Sequence, residues 1–139
     1  MSAHPAKPSR FAPFAAVGAL GFMADATILT TLVHGLDWSH YTARAVSFVA
    51  AVTVTWACNR RFVFDPSRHA RREYGAYFVT QVIGAMINLG SYALTIELEP
   101  NLAQVPVIPL AGGAALALLF NYTAASRWVF ASPRLDEHG

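Results

Sequence analysis

The 139-residue chain contains a single cysteine, Cys58, so it can form no internal disulfide and has no CxxC metal or redox site. Charge is also scarce: Asp, Glu, Lys and Arg make up 13% of the residues, against about 25% in typical soluble domains. The five histidines lack metal-ligand spacing, so we expect no metal and no cofactor. No glycine-rich phosphate loop, nucleophile elbow or paired acidic motif is present, and we expect no enzymatic activity.

Apolar residues dominate the sequence instead and account for 55% of it. A helix of about 20 residues crosses a hydrocarbon core of about 30 Å. Three continuously apolar stretches reach this length: Phe11–Val33, Gly75–Ile96 and Leu102–Ser126. A fourth, Tyr41–Ala57, is the shortest and weakest, and none shows the alternation of a membrane β-barrel. The sequence therefore predicts an all-α membrane protein with four transmembrane helices. Pro109 predicts that the fourth helix begins close to it or is kinked there.

Residues 11–64 resemble residues 77–130 at a constant offset of 66 positions. At this offset Gly18 coincides with Gly84, and Arg61-Phe62-Val63-Phe64 coincides with Arg127-Trp128-Val129-Phe130. Because each copy crosses the membrane twice, both copies have the same orientation and form two parallel two-helix repeats. We assign residues 11–130 to one transmembrane domain, and residues 1–10 and 131–139 to tails.

The basic residues predict the orientation of the spans. Arg44 lies toward one side, and the other nine lie toward the opposite side: Lys7, Arg10, Arg60, Arg61, Arg68, Arg71, Arg72, Arg127 and Arg134. Basic residues in short loops stay in the cytoplasm. We therefore expect both termini and the central loop to be cytoplasmic.

The ends of the two repeats carry a candidate phosphate site. Arg61 and Arg127 occupy equivalent positions, Arg60 adds a third guanidinium, and Asn59 and Asn121 precede the arginines. Because the planar guanidinium suits phosphate oxygens, these five residues are candidates to bind an anionic lipid headgroup. The alternative is that the arginines only fix the topology.

A second candidate site lies inside the membrane. Asp25 is about 21 Å along the first span, where an ionisable side chain costs about 3 kcal/mol and needs a partner in the bundle interior. Arg44, near the start of the second span, is the natural candidate. We predict a polar pocket of Asp25, Arg44, Asn88 and Ser91, the last being the repeat counterpart of Asp25. The alternative is an ion pair that only holds the first two spans together.

The ordered set of motifs resembles the GtrA-like family of small four-span bacterial membrane proteins. The resemblance covers about residues 10–130 and rests on Arg10-Phe11-x-x-Phe14-x-x-Val17-Gly18, Asp25, Asn59-Arg60-Arg61-Phe62-Val63-Phe64 and Asn121-x5-Arg127-Trp128-Val129-Phe130. It implies a role in cell-surface polysaccharide synthesis, where members are proposed to move polyprenyl-phosphate-linked sugars across the inner membrane. Similar bundles are fused to polyprenyl-phosphate sugar transferases, so a separate glycosyltransferase is an expected partner here.

Together, these features predict a flippase for a polyprenyl-phosphate-linked sugar. The phosphate would dock at the arginines, and the sugar would pass the polar pocket. Four spans enclose little volume, so a homo-oligomer or a partner would complete the path. Two rivals remain: a membrane adaptor that recruits or orients a glycosyltransferase, and a small multidrug exporter, against which the strong charge bias argues. The basic loop lies beside membrane spans, so we expect it to meet anionic lipid, not nucleic acid.

Overall fold

A computed structural model describes residues 9–66, 68–105 and 107–131. The predicted tails, with Lys7 and Arg134, lie almost entirely outside these ranges, as does Pro106. The described residues form helices and turns and include no strand. The predicted all-α class is therefore confirmed.

Four helices form the bundle: α1 (Phe11–Thr30), α2 (His40–Cys58), α3 (Ala70–Leu98) and α4 (Val107–Ala124). Five-residue π-helical turns extend α1, α2 and α4 over Thr31–Gly35, Asn59–Val63 and Ala125–Val129, and a 3-10 turn covers Pro100–Gln104. α4 therefore begins five residues after the predicted Leu102. Pro109 lies in its first turn, where a missing backbone N–H costs no hydrogen bond.

Three helical segments are long and apolar enough to cross a membrane: Phe11–Gly35, Ala70–Leu98 and Val107–Val129. Their outer surfaces are strongly apolar, since Phe22, Met86 and Leu89 remain 73%, 68% and 70% exposed. Contiguous apolar surface of this kind is characteristic of a face that meets lipid or another protein. The protein is thus a membrane-embedded helical bundle.

The helices alternate in direction, and one end of the bundle collects the basic residues. Arg10, just before α1, contacts Asp65, just beyond the π turn that follows α2, at 2.9 Å. The rings of Phe64 and Phe130, which end the two repeats, stack with centroids 4.8 Å apart and planes 5° from parallel. The start of α1, the ends of both repeats and the start of α3 therefore share one end, which we call the basic end.

The two halves of the bundle repeat each other closely in structure. The π turns that end them begin at Asn59 and Ala125, 66 positions apart, as in the sequence alignment. Each turn closes in the same way: Phe64 N–H donates to Asn59 O, and Phe130 N–H donates to Ala125 O, both at 2.8 Å. The buried face also repeats, because Ala43, Ser47 and Ala51 of α2 correspond to Pro109, Gly113 and Ala117 of α4. The stacked phenylalanines lie where the two halves meet.

Small residues bring the helices of each hairpin into close contact. A Cβ atom at Gly113 would lie 2.7 Å from the Asn88 backbone oxygen, so α4 approaches the backbone of α3 directly. In the hairpin of α1 and α2, a Cβ at Gly21 would lie 2.2 Å from Thr55 Cγ2. Close approach at small residues is the usual way in which membrane helices gain packing energy, because lipid provides no hydrophobic drive between them.

Candidate functional site

The four helices enclose a central cavity of about 290 Å³. Its polar lining residues come from all four helical segments: Asp25, Arg44, Thr55, Asn59, Tyr77, Gln81, Asn88 and Asn121. The cavity is open to the exterior, because Phe22 and the half-exposed side chain of Arg44 also line it. A polar, accessible cavity within an apolar bundle is the feature most able to receive a hydrophilic group.

Asp25 and Arg44 form an ion pair at one part of this cavity, between Asp25 Oδ2 and an Arg44 guanidinium nitrogen. The Asp25 side chain is 15% exposed, whereas the Arg44 side chain is 55% exposed. The carboxylate thus lies inside the bundle, and the guanidinium reaches it from the rim. The pair links α1 to α2 and makes this part of the cavity electrically neutral.

Two asparagines lie nearer the basic end of the cavity, each fixed by one hydrogen bond. Asn59, which is 1% exposed, donates from Nδ2 to the Tyr77 hydroxyl at 2.9 Å. Asn121 donates from Nδ2 to Gln81 Oε1 at 3.2 Å. The first bond joins the π turn after α2 to α3, and the second joins α4 to α3. The fold therefore holds both carboxamides in place.

The predicted intramembrane pocket is largely assembled by the structure. Asp25, Arg44 and Asn88 all line the cavity, whereas Ser91 does not. The backbone carbonyl of Ser91 accepts a hydrogen bond from Thr95 Oγ1 at 2.8 Å, one turn further along α3. Asn88 lies at the close contact between α3 and α4, and its side-chain oxygen would also be 2.7 Å from a Cβ at Gly113.

The five predicted phosphate ligands are divided among three places. Asn59 and Asn121 line the cavity. Arg60 pairs with Glu73 Oε1 at 2.5 Å, and its guanidinium carbon lies 5.7 Å from the centre of the Trp56 ring. Arg61 and Arg127 are exposed and have no carboxylate partner in the part of the chain that the structure describes. These two arginines therefore remain as open cations at the basic end.

Glu73, Tyr77 and Gln81 are three structural partners that the sequence reasoning missed. Glu73 is 3% exposed in the first turn of α3, where a carboxylate also interacts favourably with the helix dipole, and it accepts a hydrogen bond from Trp56 Nε1 at 3.1 Å. Two signals in the sequence pointed to these residues. Glu73 is an isolated acid beside a run of arginines, and Tyr77 and Gln81 are polar residues one helical turn apart in an apolar span.

Within the described ranges, no group of three or more histidine, cysteine or acidic side chains is placed to hold a metal ion. The side chains that line the cavity are able to form hydrogen bonds and ion pairs.

The fold and the cavity define a class: a small multi-pass helical membrane protein with a polar interior. Residues 13–130 match the family described as GtrA/DPMS, transmembrane domain, and the chain belongs to this family. The resemblance inferred from the sequence motifs is thus confirmed. Membership relates the chain to membrane processes that involve polyprenyl-phosphate sugars. No curated protein and no solved structure matches the chain.

Proposed function

We propose that this protein translocates a polyprenyl-phosphate-linked sugar across the bacterial inner membrane, for the synthesis of cell-surface polysaccharide or another cell-wall glycan. The observation that carries the proposal is the polar cavity shared by all four helices of a GtrA/DPMS bundle. A hydrophilic headgroup can enter such a cavity while its prenyl chain stays in lipid. The proposal assigns no catalytic step to the chain.

The proposed topology has four spans, with both termini and the central loop in the cytoplasm. α2 and its π turn together contain 24 residues, from His40 to Val63, a length of about 36 Å at the helical rise. α2 is less apolar than α1 and α4, but it buries Ala43, Ser47 and Ala51 against its neighbours. The clustering of arginines at the basic end supports a cytoplasmic location for that end.

Arg61 and Arg127 are the proposed contacts for the lipid phosphate. They occupy equivalent positions in the two π turns, and both are exposed at the end where the repeats meet. A guanidinium binds phosphate oxygens through two parallel hydrogen bonds, and one such group balances the single negative charge of a phosphodiester. The second arginine would supply further hydrogen bonds to the same phosphate. Arg60 would have to leave Glu73 to contribute, so its role is to hold α2 against α3.

The experiment that tests translocation uses proteoliposomes that contain this protein alone. A polyprenyl-phosphate sugar is placed in one leaflet, and its arrival in the other is followed with a membrane-impermeant sugar-modifying reagent. We expect protein-dependent transfer that the double variant Arg61→Ala/Arg127→Ala abolishes. The matched control is Arg68→Ala, which removes an exposed arginine of the central loop. Transfer that is unchanged in the double variant would refute the proposed phosphate contacts.

A second candidate function is that of an adaptor that recruits or orients a separate glycosyltransferase. The size of the cavity favours it, because about 290 Å³ is small for a complete translocation path. In this case the lipid-linked sugar binds in the same liposomes without crossing, and a tagged chain co-purifies with a transferase. Variants in the loop 65–73 would then impair co-purification more than Asp25→Asn does. If the chain itself translocates, the small cavity requires a homo-oligomer or a partner to complete the path.

A further inference from the structure

The contacts that join the two helical hairpins, α1–α2 and α3–α4, are concentrated toward the basic end. The Thr53 hydroxyl lies 2.9 Å from the Tyr74 hydroxyl, and Glu73 accepts hydrogen bonds from Trp56 and Arg60. Aromatic rings of both hairpins meet there as well: Phe11, Phe14 and Phe64 of the first, and Tyr122 and Phe130 of the second. We call these residues the clamp, because they fasten one hairpin to the other.

The opposite end of the bundle, which we call the outer end, is joined differently. Among the described residues, the hydrogen bonds, ion pairs and ring contacts between the hairpins extend from the basic end only as far as Phe48 and Phe78, whose ring centres are 6.0 Å apart. Phe48 lies about 12 Å from the first residue of α2. Closer to the outer end, the cavity lies between the hairpins, with Asp25 and Arg44 on one side and Asn88 on the other.

Each hairpin, in contrast, is held together close to the outer end. In α1–α2, Arg44 forms its ion pair with Asp25 at a position about 6 Å from the first residue of α2. In α3–α4, Gly113 lies about 9 Å from the first residue of α4 and packs on the backbone of Asn88. The two helices of one hairpin therefore stay paired at the level where the cavity separates the hairpins.

The burial of the cavity walls changes in the same direction. Near the basic end, the lining residues Phe14, Asn59 and Tyr77 are almost wholly buried. Toward the outer end, the lining residues Phe22 and Arg44 are exposed. The cavity is thus closed at the clamp and open away from it. Segments that share few contacts separate at low free energy, because little packing is lost when they part.

We propose that the two hairpins move as rigid units about a hinge at the clamp, so that their outer halves separate and approach and change the width of the cavity. Rigid units that are joined at one end turn about that end through small changes in a few backbone angles. The Asp25–Arg44 ion pair stays intact during this motion, since it lies within one hairpin. The volume of about 290 Å³ is then one value of a variable space. The inference goes beyond the proposed function and applies equally to a translocator and to an adaptor.

The test measures distances between spin labels on the full chain in nanodiscs, without any added lipid ligand. The variant Cys58→Ala first removes the single cysteine of the chain. The outer pair is Tyr41→Cys with Val107→Cys, in the first turns of α2 and α4, and the basic pair is Phe62→Cys with Trp128→Cys, in the π turns. All four side chains are exposed, and the two positions of each pair are 66 residues apart. The pairs therefore report on equivalent sites at opposite ends of the bundle.

We expect the distance distribution of the outer pair, measured by double electron–electron resonance, to be about twice as wide as that of the basic pair. The matched controls use the same labels within one hairpin, Tyr41 with Phe62 and Val107 with Trp128, each about 32 Å apart along the chain of helical turns. Both controls should be as narrow as the basic pair, since they record the motion of the labels and the helix ends alone.

A second measurement treats the two cysteine pairs with bismaleimide linkers of graded length. Short and long linkers should both join the outer pair, whereas a single length should join the basic pair. Equal widths at the two ends, or a basic pair wider than the outer pair, would overturn the hinge. Linking of the outer pair by a single length would overturn it as well. Because no lipid ligand is added, these outcomes leave the proposed function unaffected.

Discussion

The contact between α3 and α4 at Gly113 makes a sharp prediction about packing. The variant Gly113→Ala adds one methyl group where the Cβ would lie 2.7 Å from both the backbone oxygen and the side-chain oxygen of Asn88. A backbone oxygen cannot rotate away, so the helices must separate. Overpacking of this kind costs about 1–3 kcal/mol. We expect Gly113→Ala to lower the free energy of unfolding by that amount.

The neighbouring glycine provides the matched control, because a Cβ at Gly112 would meet nothing within 4 Å. Replacing a glycine in a helix by alanine stabilises it by up to about 1 kcal/mol, so Gly112→Ala should be neutral or stabilising. The two variants differ by one position, and only Gly113→Ala should lower the stability. Equilibrium unfolding by sodium dodecyl sulfate in mixed micelles, followed by circular dichroism, measures both. If Gly113→Ala is as stable as Gly112→Ala, the helices do not approach as closely as described.

Three further predictions concern the polar interactions. Glu73→Leu should destabilise the protein by about 3–5 kcal/mol, because it removes the buried carboxylate that pairs with Arg60 and accepts a hydrogen bond from Trp56. In the same unfolding assay Asp65→Leu should cost less than about 1 kcal/mol, because its pair with Arg10 is exposed, and equal losses would contradict this reasoning. Asp25→Asn should abolish lipid-sugar transfer in proteoliposomes while membrane levels of the protein stay normal; normal transfer would exclude a charge-dependent role for Asp25. Phe64→Ala should destabilise the bundle by about 3–5 kcal/mol, because the ring packs on Phe130 in the buried core, and a loss below 1 kcal/mol in that assay would refute this role.

Much of the fold follows from the sequence, because the physical requirements are local and strong. Continuous apolar stretches in lipid must form helices to satisfy their backbone, and the 66-residue repeat transfers the assignment of one hairpin to the other. The pairing of Asp25 with Arg44 was also accessible. The two residues lie on consecutive helices joined by a short turn, and a buried carboxylate requires a nearby cation.

The partners of Arg60 and Asn59 were less accessible, since they depend on how the two hairpins rotate against each other. The repeat distinguishes Arg61, which coincides with Arg127, from Arg60, which coincides with Ser126, but it does not show that Arg60 turns toward Glu73. The π turn itself widens the helix and changes the direction of each side chain in it. Asn59 is the first residue of this turn, is buried and donates to the Tyr77 hydroxyl.

The relation between the two halves has a consequence for how a ligand is held. The two halves share the π turns that follow α2 and α4 and contribute one ring each to the stacked Phe64 and Phe130, but their polar cavity side chains differ. Asp25 corresponds to Ser91, and Asn121 corresponds to Thr55. A fully duplicated lining would offer a ligand two equivalent poses, related by half a turn. With unlike groups at corresponding positions, the cavity presents a ligand with one preferred pose.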